Sequence, residues 1–243
     1  MKVGFAFLTY KLIYNKKTWK NFFDKIDYDF EVSIHAKRKP KNKLPFKANY
    51  IKKTPTEWGK PGLVRATFFL LTDLFSRGCD VVYFVSGDTI PLPKCVDFVN
   101  KNTESNFHLQ PKSCKQKFRL KKFKQTSLEF QNKVEEKEFR KQNMFFCISR
   151  QNFLDLNRKI GNEIDKYNFY KFKEKLFPEF GKLLDEYFWV NLFKYYNIPF
   201  ITNNRYIYCN SSNGKRTQAQ SFNHIPEKAK NEFIFMRKVK FLQ

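Results

Sequence analysis

The stretch from Asp80 to Leu92, DVVYFVSGDTIPL, constrains the fold of this chain more than any other. It opens with five apolar or aromatic residues, Val81 to Val85, and three of them are β-branched, which is typical of a strand buried on both faces. Ser86 to Asp88 follow directly, then Pro91, so we expect the strand to end in a small polar turn and not to resume. In open α/β sheets, ligands bind beyond the carboxyl ends of such strands. On these residues alone, an ordinary connecting turn is the simpler interpretation.

Strand and helix patterns alternate along the rest of the chain and predict an α/β fold. Lys2 to Thr9 predicts a buried first strand, the apolar face from Trp19 to Ile26 has helical spacing, and Phe30 to Ile34 predicts a second strand. A strand, helix, strand order implies parallel strands joined by a right-handed crossover. Further helices are predicted at residues 63–75, 93–102, 183–196 and 227–230 and after Ser149, and further strands at 144–148, 200–201 and 206–208. We therefore expect one three-layer domain, residues 1–243, around a mostly parallel central sheet.

The net charge of the chain indicates which classes of ligand the protein attracts. With 47 Lys and Arg against 23 Asp and Glu, the net charge of +24 predicts attraction to nucleic acid, an anionic membrane or phosphorylated ligands. Residues 109–141 are rich in Lys and Arg with scattered Phe and Leu, and we expect a long basic loop or insertion there. Aromatic residues are interleaved with Lys in residues 117–124, so a nucleic-acid or polyanion-binding protein remains an alternative. Against it, the Lys residues are spread along the chain and no nucleic-acid-binding motif is found.

The cysteines and the apolar runs bear on the cellular compartment. The five cysteines are widely spaced and never form a CxxC pair, which favours reduced, structural thiols over a disulfide framework or a zinc site. The N-terminal apolar run lacks a small-residue cleavage site, and no run of about eighteen apolar residues is present to cross a membrane. We expect a cytoplasmic protein without a transmembrane segment.

Three sets of polar residues could carry chemistry, and each also has a plain structural interpretation. Asp185 and Glu186 at a predicted helix start suit the helix dipole, but a carboxylate at a rim could also be a general base. Arg237 and Lys238 follow an apolar strand, where they are either surface charges or a clamp for a diphosphate. His35 ends a strand, and a single histidine there is more often a hydrogen-bonded structural residue than a ligand.

The turn after the central strand is poorly equipped for a metal ion. Asp88 stands in it without a second carboxylate two residues away, whereas divalent cations are held by several hard oxygen ligands. The chain also lacks a Walker A loop, a GxGxxG turn and an HExxH helix. We therefore expect no metal site in this turn.

Several separated blocks of sequence, in order along nearly the whole chain, carry a resemblance to a known family. They are KVGFAFLTY, VSIHA, EWGKPGLVRATFFLL, VYFVSGDTIPLP, NMFFCISRQNF, LDEYFWVNLF and the final FIFMRKV. Together they resemble the core-2/I-branching β-1,6-N-acetylglucosaminyltransferase family, especially its plant-type branch, and more distantly the peptide xylosyltransferases. In that family the matching blocks include a Trp-Gly-x-x-x-Leu-Val helix entry, a Ser-x-x-x-Pro-Leu turn, an Asp-Glu-aromatic block and a Phe-Ala-Arg-Lys-Phe ending.

The resemblance implies an inverting glycosyltransferase of the GT-A type that needs no divalent metal or other cofactor. It would move a sugar, N-acetylglucosamine or xylose first, from a UDP-sugar to a hydroxyl of a glycan or glycoprotein, with no nucleic-acid partner. By position, Glu186 would be the general base, and Arg237 with Lys238 would hold the donor's diphosphate. The positions that would surround the donor nucleotide or shape its pocket are Thr9, His35, Trp58, Ser86 and Asp88, and Asp185 and Trp189 would contact the acceptor or support the base. A homologue that has lost activity and only binds glycans remains an alternative.

Overall fold

The computed structural model describes residues 1–38, 43–57, 61–109, 120–121, 134–160, 185–203, 205, 207–209, 217–219, 225–237 and 239–241. The strands are β1 (Lys2–Thr9), β2 (Asp29–Ala36), β3 (Asn49–Tyr50), β4 (Val81–Ser86), β5 (Thr89–Pro91), β6 (Asn106–Leu109), β7 (Gln142–Ser149), β8 (Ile201–Thr202), β9 (Ile207–Cys209), β10 (Thr217–Ala219), β11 (Phe235–Arg237) and β12 (Val239–Phe241). The helices are α1 (Lys16–Phe23), α2 (Pro61–Ser76), α3 (Lys94–Lys101), α4 (Arg150–Ile160), α5 (Asp185–Tyr195) and α6 (Glu227–Glu232).

The main sheet has seven strands in the order β3-β2-β1-β4-β7-β6-β8. Neighbouring strands run parallel except at β7, which is antiparallel to both β4 and β6. The prediction of an α/β fold with a mostly parallel central sheet is thereby confirmed. The chain leaves β1 through α1 to reach β2 on one side, whereas β4 lies on the other side of β1. The strand order therefore reverses between β1 and β4.

Helices cover both faces of the main sheet. Along β4, Val82 and Phe84 join one apolar cluster, and Tyr83 and Val85 join the other, as the alternation of side chains in a strand requires. The first cluster contains residues of α2, α4 and α5, and the second contains residues of α1, α3 and β11. All residues of β4 are buried, so the prediction of a central strand covered on both faces is confirmed.

Aromatic side chains hold α1 against the sheet. The ring centroid of Trp19 lies 4.8 Å from that of Phe7 on β1, and its indole N–H donates to the Thr89 carbonyl at 2.9 Å. This contact joins α1 to the segment that follows β4. The helix ends at Phe23, earlier than the apolar spacing predicts, yet Ile26 beyond it still packs against the same cluster.

The segment after β4 differs from the expectation. Pro91 was expected to keep the strand from resuming, yet Thr89–Pro91 forms a short strand, β5, which pairs antiparallel with β11 in a different sheet. The pairing tolerates the proline because it is the last residue of β5, and the next backbone N–H, that of Leu92, donates to the Ile234 carbonyl at 2.9 Å. The chain thus leaves the main sheet at Ser86 and enters a second, three-stranded sheet directly after the turn.

The cysteines and helices of the structure can be compared with the predictions of reduced thiols and of no transmembrane segment. Cys79, Cys95 and Cys147 are buried and form no disulfide among the described residues, and burial raises the pKa of the Cys79 thiol to about 12. These three are structural thiols, as predicted, while Cys114 and the side chain of Cys209 lie outside the described residues. Of the helices that the structure describes, none is long and apolar enough to cross a membrane.

The basic segment predicted at residues 109–141 is described chiefly at 120–121 and 134–141. Where it is described, its apolar side chains pack on the core: Val134 and Phe139 belong to the same cluster as α5. The loop expected over the remaining residues falls outside the described part of the chain and stays a prediction.

Candidate ligand-binding site

The carboxyl ends of β1, β2 and β4 meet at one edge of the main sheet, which together with the segments adjoining it is called the rim. In the register of the three strands, Leu8 on β1 stands between His35 on β2 and Ser86 on β4. The strand order reverses between β1 and β4, and open α/β sheets bind ligands in the crevice outside the strand ends at such a point. The rim is therefore the candidate site.

The turn after β4 is packed against the loop after β1. The Tyr14 N–H donates to the Gly87 carbonyl at 2.8 Å, and Thr9 Oγ1 donates to the Leu12 carbonyl at 2.7 Å. A Cβ atom at Gly87 would lie 2.3 Å from the Leu12 carbonyl oxygen and 2.4 Å from Thr9 Oγ1, so only glycine fits without movement. The two loops that flank the reversal point are therefore packed directly against each other. The hydrogen bond from Thr9 to the Leu12 carbonyl holds the loop after β1 in this position.

Ser86 and Asp88 shape this turn through their side chains. Ser86 Oγ donates to Asp88 Oδ1 and lies 3.0 Å from Thr89 Oγ1. Asp88 is partly exposed, and its carboxylate accepts the Ser86 hydroxyl within the turn. Within the described part of the chain, no group of three or more His, Cys, Asp or Glu residues could hold a metal ion.

Arg237 reaches the rim from a strand far along the chain. Antiparallel pairing of β11 with β5 sets Arg237 opposite Thr89, directly after the turn. Its guanidinium carbon lies 5.2 Å from the centroid of the Phe145 ring, near the start of β7. The Nε–H is buried and donates to no acceptor among the described residues. A buried cationic donor without an acceptor costs free energy in the isolated protein and suits the binding of an anion.

Glu186 is brought to the rim through the antiparallel strand β7. Because β7 runs against β4, its first residue, Gln142, lies towards the carboxyl end of β4. Gln142 Oε1 accepts the Val190 N–H at 2.6 Å, which fixes the first turns of α5 against this end of β7. Lys141 Nζ lies 2.8 Å from Glu186 Oε2, yet this buried oxygen accepts no hydrogen bond of good geometry from the described residues. The carboxylate therefore has a compensating positive charge beside it at the rim.

Buried polar side-chain atoms without a hydrogen bond concentrate at the rim. Among the described residues they are His35 Nδ1, Asn106 Oδ1, Gln142 Nε2, Glu186 Oε2 and Arg237 Nε. All but the Asn106 atom belong to residues that strand register and contacts place at the rim. Folded proteins leave few buried polar atoms unpaired, so this concentration indicates a surface that completes its hydrogen bonds with a ligand.

His35 has a structural contact in addition to its place at the rim. The Thr54 N–H donates to His35 Nε2 at 3.0 Å, which leaves the ring proton on Nδ1. Burial lowers the pKa of His35, so the ring is neutral near pH 7. His35 thereby ties the end of β2 to the segment that precedes α2.

Of the remaining predicted residues, Trp189 is described and lies away from the rim. Trp189 on α5 is buried in the core, where its ring centroid lies 5.9 Å from that of Phe146. It therefore supports α5 from within the core. Trp58, Lys238 and the side chain of Asp185 lie outside the described residues, and their roles stay predictions.

Sequence reasoning missed two features of the rim. Lys141 belongs to the basic stretch, where no local pattern distinguishes it from the other lysines; its position directly before a strand is the signal that could have found it. Tyr10 is exposed beyond the end of β1, with the Arg38 guanidinium carbon 5.4 Å and the Lys37 ammonium 6.0 Å from its ring centroid. Both features are cationic, as the net charge predicts.

The fold and the rim define a mixed α/β protein with a candidate site for an anionic ligand at the point where its strand order reverses. No protein-family model matches the chain, and no curated protein matches it in sequence. The function must therefore be inferred from the chemistry of the rim.

Proposed function

We propose that the protein is an inverting, metal-independent glycosyltransferase of the GT-A type. It moves a sugar from a UDP-sugar, UDP-N-acetylglucosamine or UDP-xylose first, to a hydroxyl of a glycan or glycoprotein. The observation that carries the proposal is the presence at one rim of the partly buried carboxylate of Glu186 and of a buried guanidinium N–H, that of Arg237, which donates to no acceptor among the described residues. These are the two groups that such a transfer needs, a base for the incoming hydroxyl and a cation for the departing diphosphate.

The reaction is a single displacement. Glu186 takes the proton of the acceptor hydroxyl, whose oxygen attacks the anomeric carbon of the sugar and forms the new glycosidic bond. The bond between that carbon and the diphosphate oxygen breaks, and its electron pair leaves with UDP. Arg237 donates hydrogen bonds to the phosphate oxygens, on which negative charge develops. Attack opposite the leaving group inverts the configuration of the sugar.

The topology supports a nucleotide site at the same rim. Doubly wound α/β sheets bind nucleotides where their strand order reverses, and here that point lies between β1 and β4. The Thr9 hydroxyl bonds within the loop after β1, and the Ser86 hydroxyl bonds to Asp88 within the turn after β4, so both flanking loops are held in shape. The proposal assigns the charge of the diphosphate to Arg237, and to Lys238 beside it, because Asp88 has no second carboxylate near it in the turn.

Binding of UDP in the presence of EDTA tests the phosphate clamp. We expect the wild-type protein to bind UDP in EDTA by calorimetry, and Arg237→Ala to weaken that binding about tenfold to hundredfold, because a charged hydrogen bond is lost. Arg158→Ala is the matched control, since Arg158 is an exposed arginine paired with Asp155 on α4. Its UDP affinity should equal that of the wild type.

Two results would contradict the clamp. UDP binding that appears only after Mn²⁺ is added would assign the phosphates to a metal, and equal affinity in Arg237→Ala would remove Arg237 from the site. A protein that binds no UDP but binds RNA with a steep dependence on salt would be a polyanion-binding protein instead.

Replacement of Glu186 tests the base. We expect Glu186→Gln to retain UDP binding and to lose about a hundredfold to ten-thousandfold in turnover, because the amide cannot take the acceptor's proton. Turnover is measured as UDP released from UDP-N-acetylglucosamine or UDP-xylose in the presence of mixed glycan acceptors. Turnover of Glu186→Gln close to that of the wild type would show that another group is the base.

A further inference from the structure

The segment from Phe139 to Gln142 is attached to α5 by several contacts that do not involve charge. The Phe139 ring stacks on Tyr187, with centroids 4.9 Å apart and an interplanar angle of 7°. Asn191 accepts the Arg140 N–H at 2.9 Å and donates to the Arg140 carbonyl at 2.7 Å. Gln142 bonds the Val190 N–H on the same side of the helix. These contacts position the segment on α5 whatever side chain stands at position 141.

Lys141 lies within this attached segment and directs its ammonium to Glu186. The Nζ–Oε2 distance is 2.8 Å, and the two side chains are only 27% and 14% exposed, so the pair is largely shielded from water. In such surroundings the attraction between the charges is stronger than at an open surface. The ammonium lies against Oε2 and so restrains one end of the carboxylate.

We infer that Lys141 is a positioning residue for the reaction, one that holds the Glu186 carboxylate in place to receive the acceptor's proton. The inference rests on the proposed function, because Lys141 can act as a positioning residue only if Glu186 is the general base. The attachment of the segment to α5 is maintained by the stacked rings and the amide contacts. The ion pair is therefore not needed to attach the segment, and its role is to restrain the carboxylate of Glu186. A carboxylate that rotates freely loses alignment with the hydroxyl, and misplacement by about 1 Å can cost about a hundredfold in rate.

The test is a cycle of variants measured by UDP release. In the wild-type background we expect Lys141→Met to lower kcat about tenfold to hundredfold and to leave the KM for the UDP-sugar and the affinity for UDP unchanged. Lys141→Arg, which keeps the charge, should recover most of kcat. In a Glu186→Gln background, Lys141→Met should cause no further loss, because the carboxylate that it positions is absent.

Lys137→Met is the control for removal of a nearby positive charge. Lys137 pairs with Glu135 at the surface, where the two side chains are 76% and 62% exposed, and its replacement should leave kcat unchanged. Thermal unfolding is recorded for every variant, and Lys141→Gln replaces Lys141→Met in the cycle if the latter does not fold.

Each outcome of the cycle is decisive. Wild-type kcat in Lys141→Met, or an equal further loss in the Glu186→Gln background, would overturn the positioning role while leaving the transferase intact. No recovery in Lys141→Arg would also overturn it. A wild-type protein that neither binds UDP nor releases it from a UDP-sugar would overturn the proposed function, and the positioning role with it.

Discussion

At Gly87 the turn after β4 approaches the loop after β1 so closely that no side chain fits between them. Glycine is required here by lack of space, because a Cβ atom would lie well inside contact distance of both the Leu12 carbonyl oxygen and Thr9 Oγ1. At Gly78, in the turn that leads into β4, glycine is favoured by the backbone conformation and not by lack of space. There φ is +89°, a backbone conformation that residues with a Cβ disfavour, while a Cβ atom would meet nothing closer than the Arg150 guanidinium at 3.8 Å, an ordinary contact. The two glycines lie at opposite ends of β4, which makes them a matched pair for experiment.

Gly87→Ala is expected to weaken UDP binding, whereas Gly78→Ala is not. The first substitution forces the two loops of the rim apart and costs about 1–3 kcal/mol through overpacking. The second costs about 1 kcal/mol through backbone strain, away from the rim. Thermal unfolding should show both losses, and calorimetry with UDP should separate them. Equal UDP affinities in the two variants would argue that the turn is not part of the nucleotide site.

At the scale of elements, one carboxylate on α2 joins the helix to two strands. Asp73 accepts the Ser33 hydroxyl of β2 at 2.5 Å, and Asn49 of β3 donates to it at 3.3 Å. Arg77, directly after the end of α2, donates its Nε–H at 3.0 Å. Burial by itself would raise the pKa of Asp73, but the hydrogen bonds from Arg77 and Ser33 outweigh it and hold the pKa below the ordinary 3.8. The ionised carboxylate is therefore the form that supports the packing of α2.

The lowered pKa of Asp73 predicts a specific loss of stability in acid. Because the folded state holds the proton less tightly than the unfolded state, the stabilisation is complete above the ordinary pKa of 3.8 and is lost as the pH falls through the lower folded value. Asp73→Asn should therefore be less stable than the wild type near pH 7, and the difference should shrink as the pH falls below about 4. Urea midpoints measured from pH 7 downwards test this. A difference that does not change with pH would assign it to packing alone.

Elements with long local apolar patterns were predictable from sequence, and elements defined by distant partners were not. β1 and β4 were found because their buried runs are continuous, and α2 because its apolar residues repeat at helical spacing. β6 was missed because Asn106–Leu109 is short and has no such run. The reversed direction of β7 depends on its pairing with β4 and β6, which periodicity does not encode. For the same reason the contact between Lys141 and Glu186 could not be foreseen, although Glu186 itself was selected.

At the scale of the whole molecule, the net positive charge and the aromatic content have separate roles. The Phe and other aromatic side chains fill the two layers between sheet and helices, which accounts for much of the aromatic content. The net charge of +24 sets up a positive field around the molecule and raises the local concentration of anionic ligands. A nucleotide diphosphate is one such ligand, so the charge that suggested a polyanion-binding protein is equally what the proposed transferase needs. In the proposed function, specific recognition depends on the rim, where cationic side chains lie beside buried polar atoms that lack a hydrogen bond.

The pairing of β11 with β5 has a consequence for the synthesis of the protein. The strands that build the main sheet up to β7 leave the ribosome before Arg237 is made, and Arg237 reaches the rim only once β11 has added itself to β5. A nascent chain that has formed its central sheet therefore still lacks the buried cation of the rim. The phosphate clamp of the proposed function can therefore form only after β11 has been synthesised and has paired with β5.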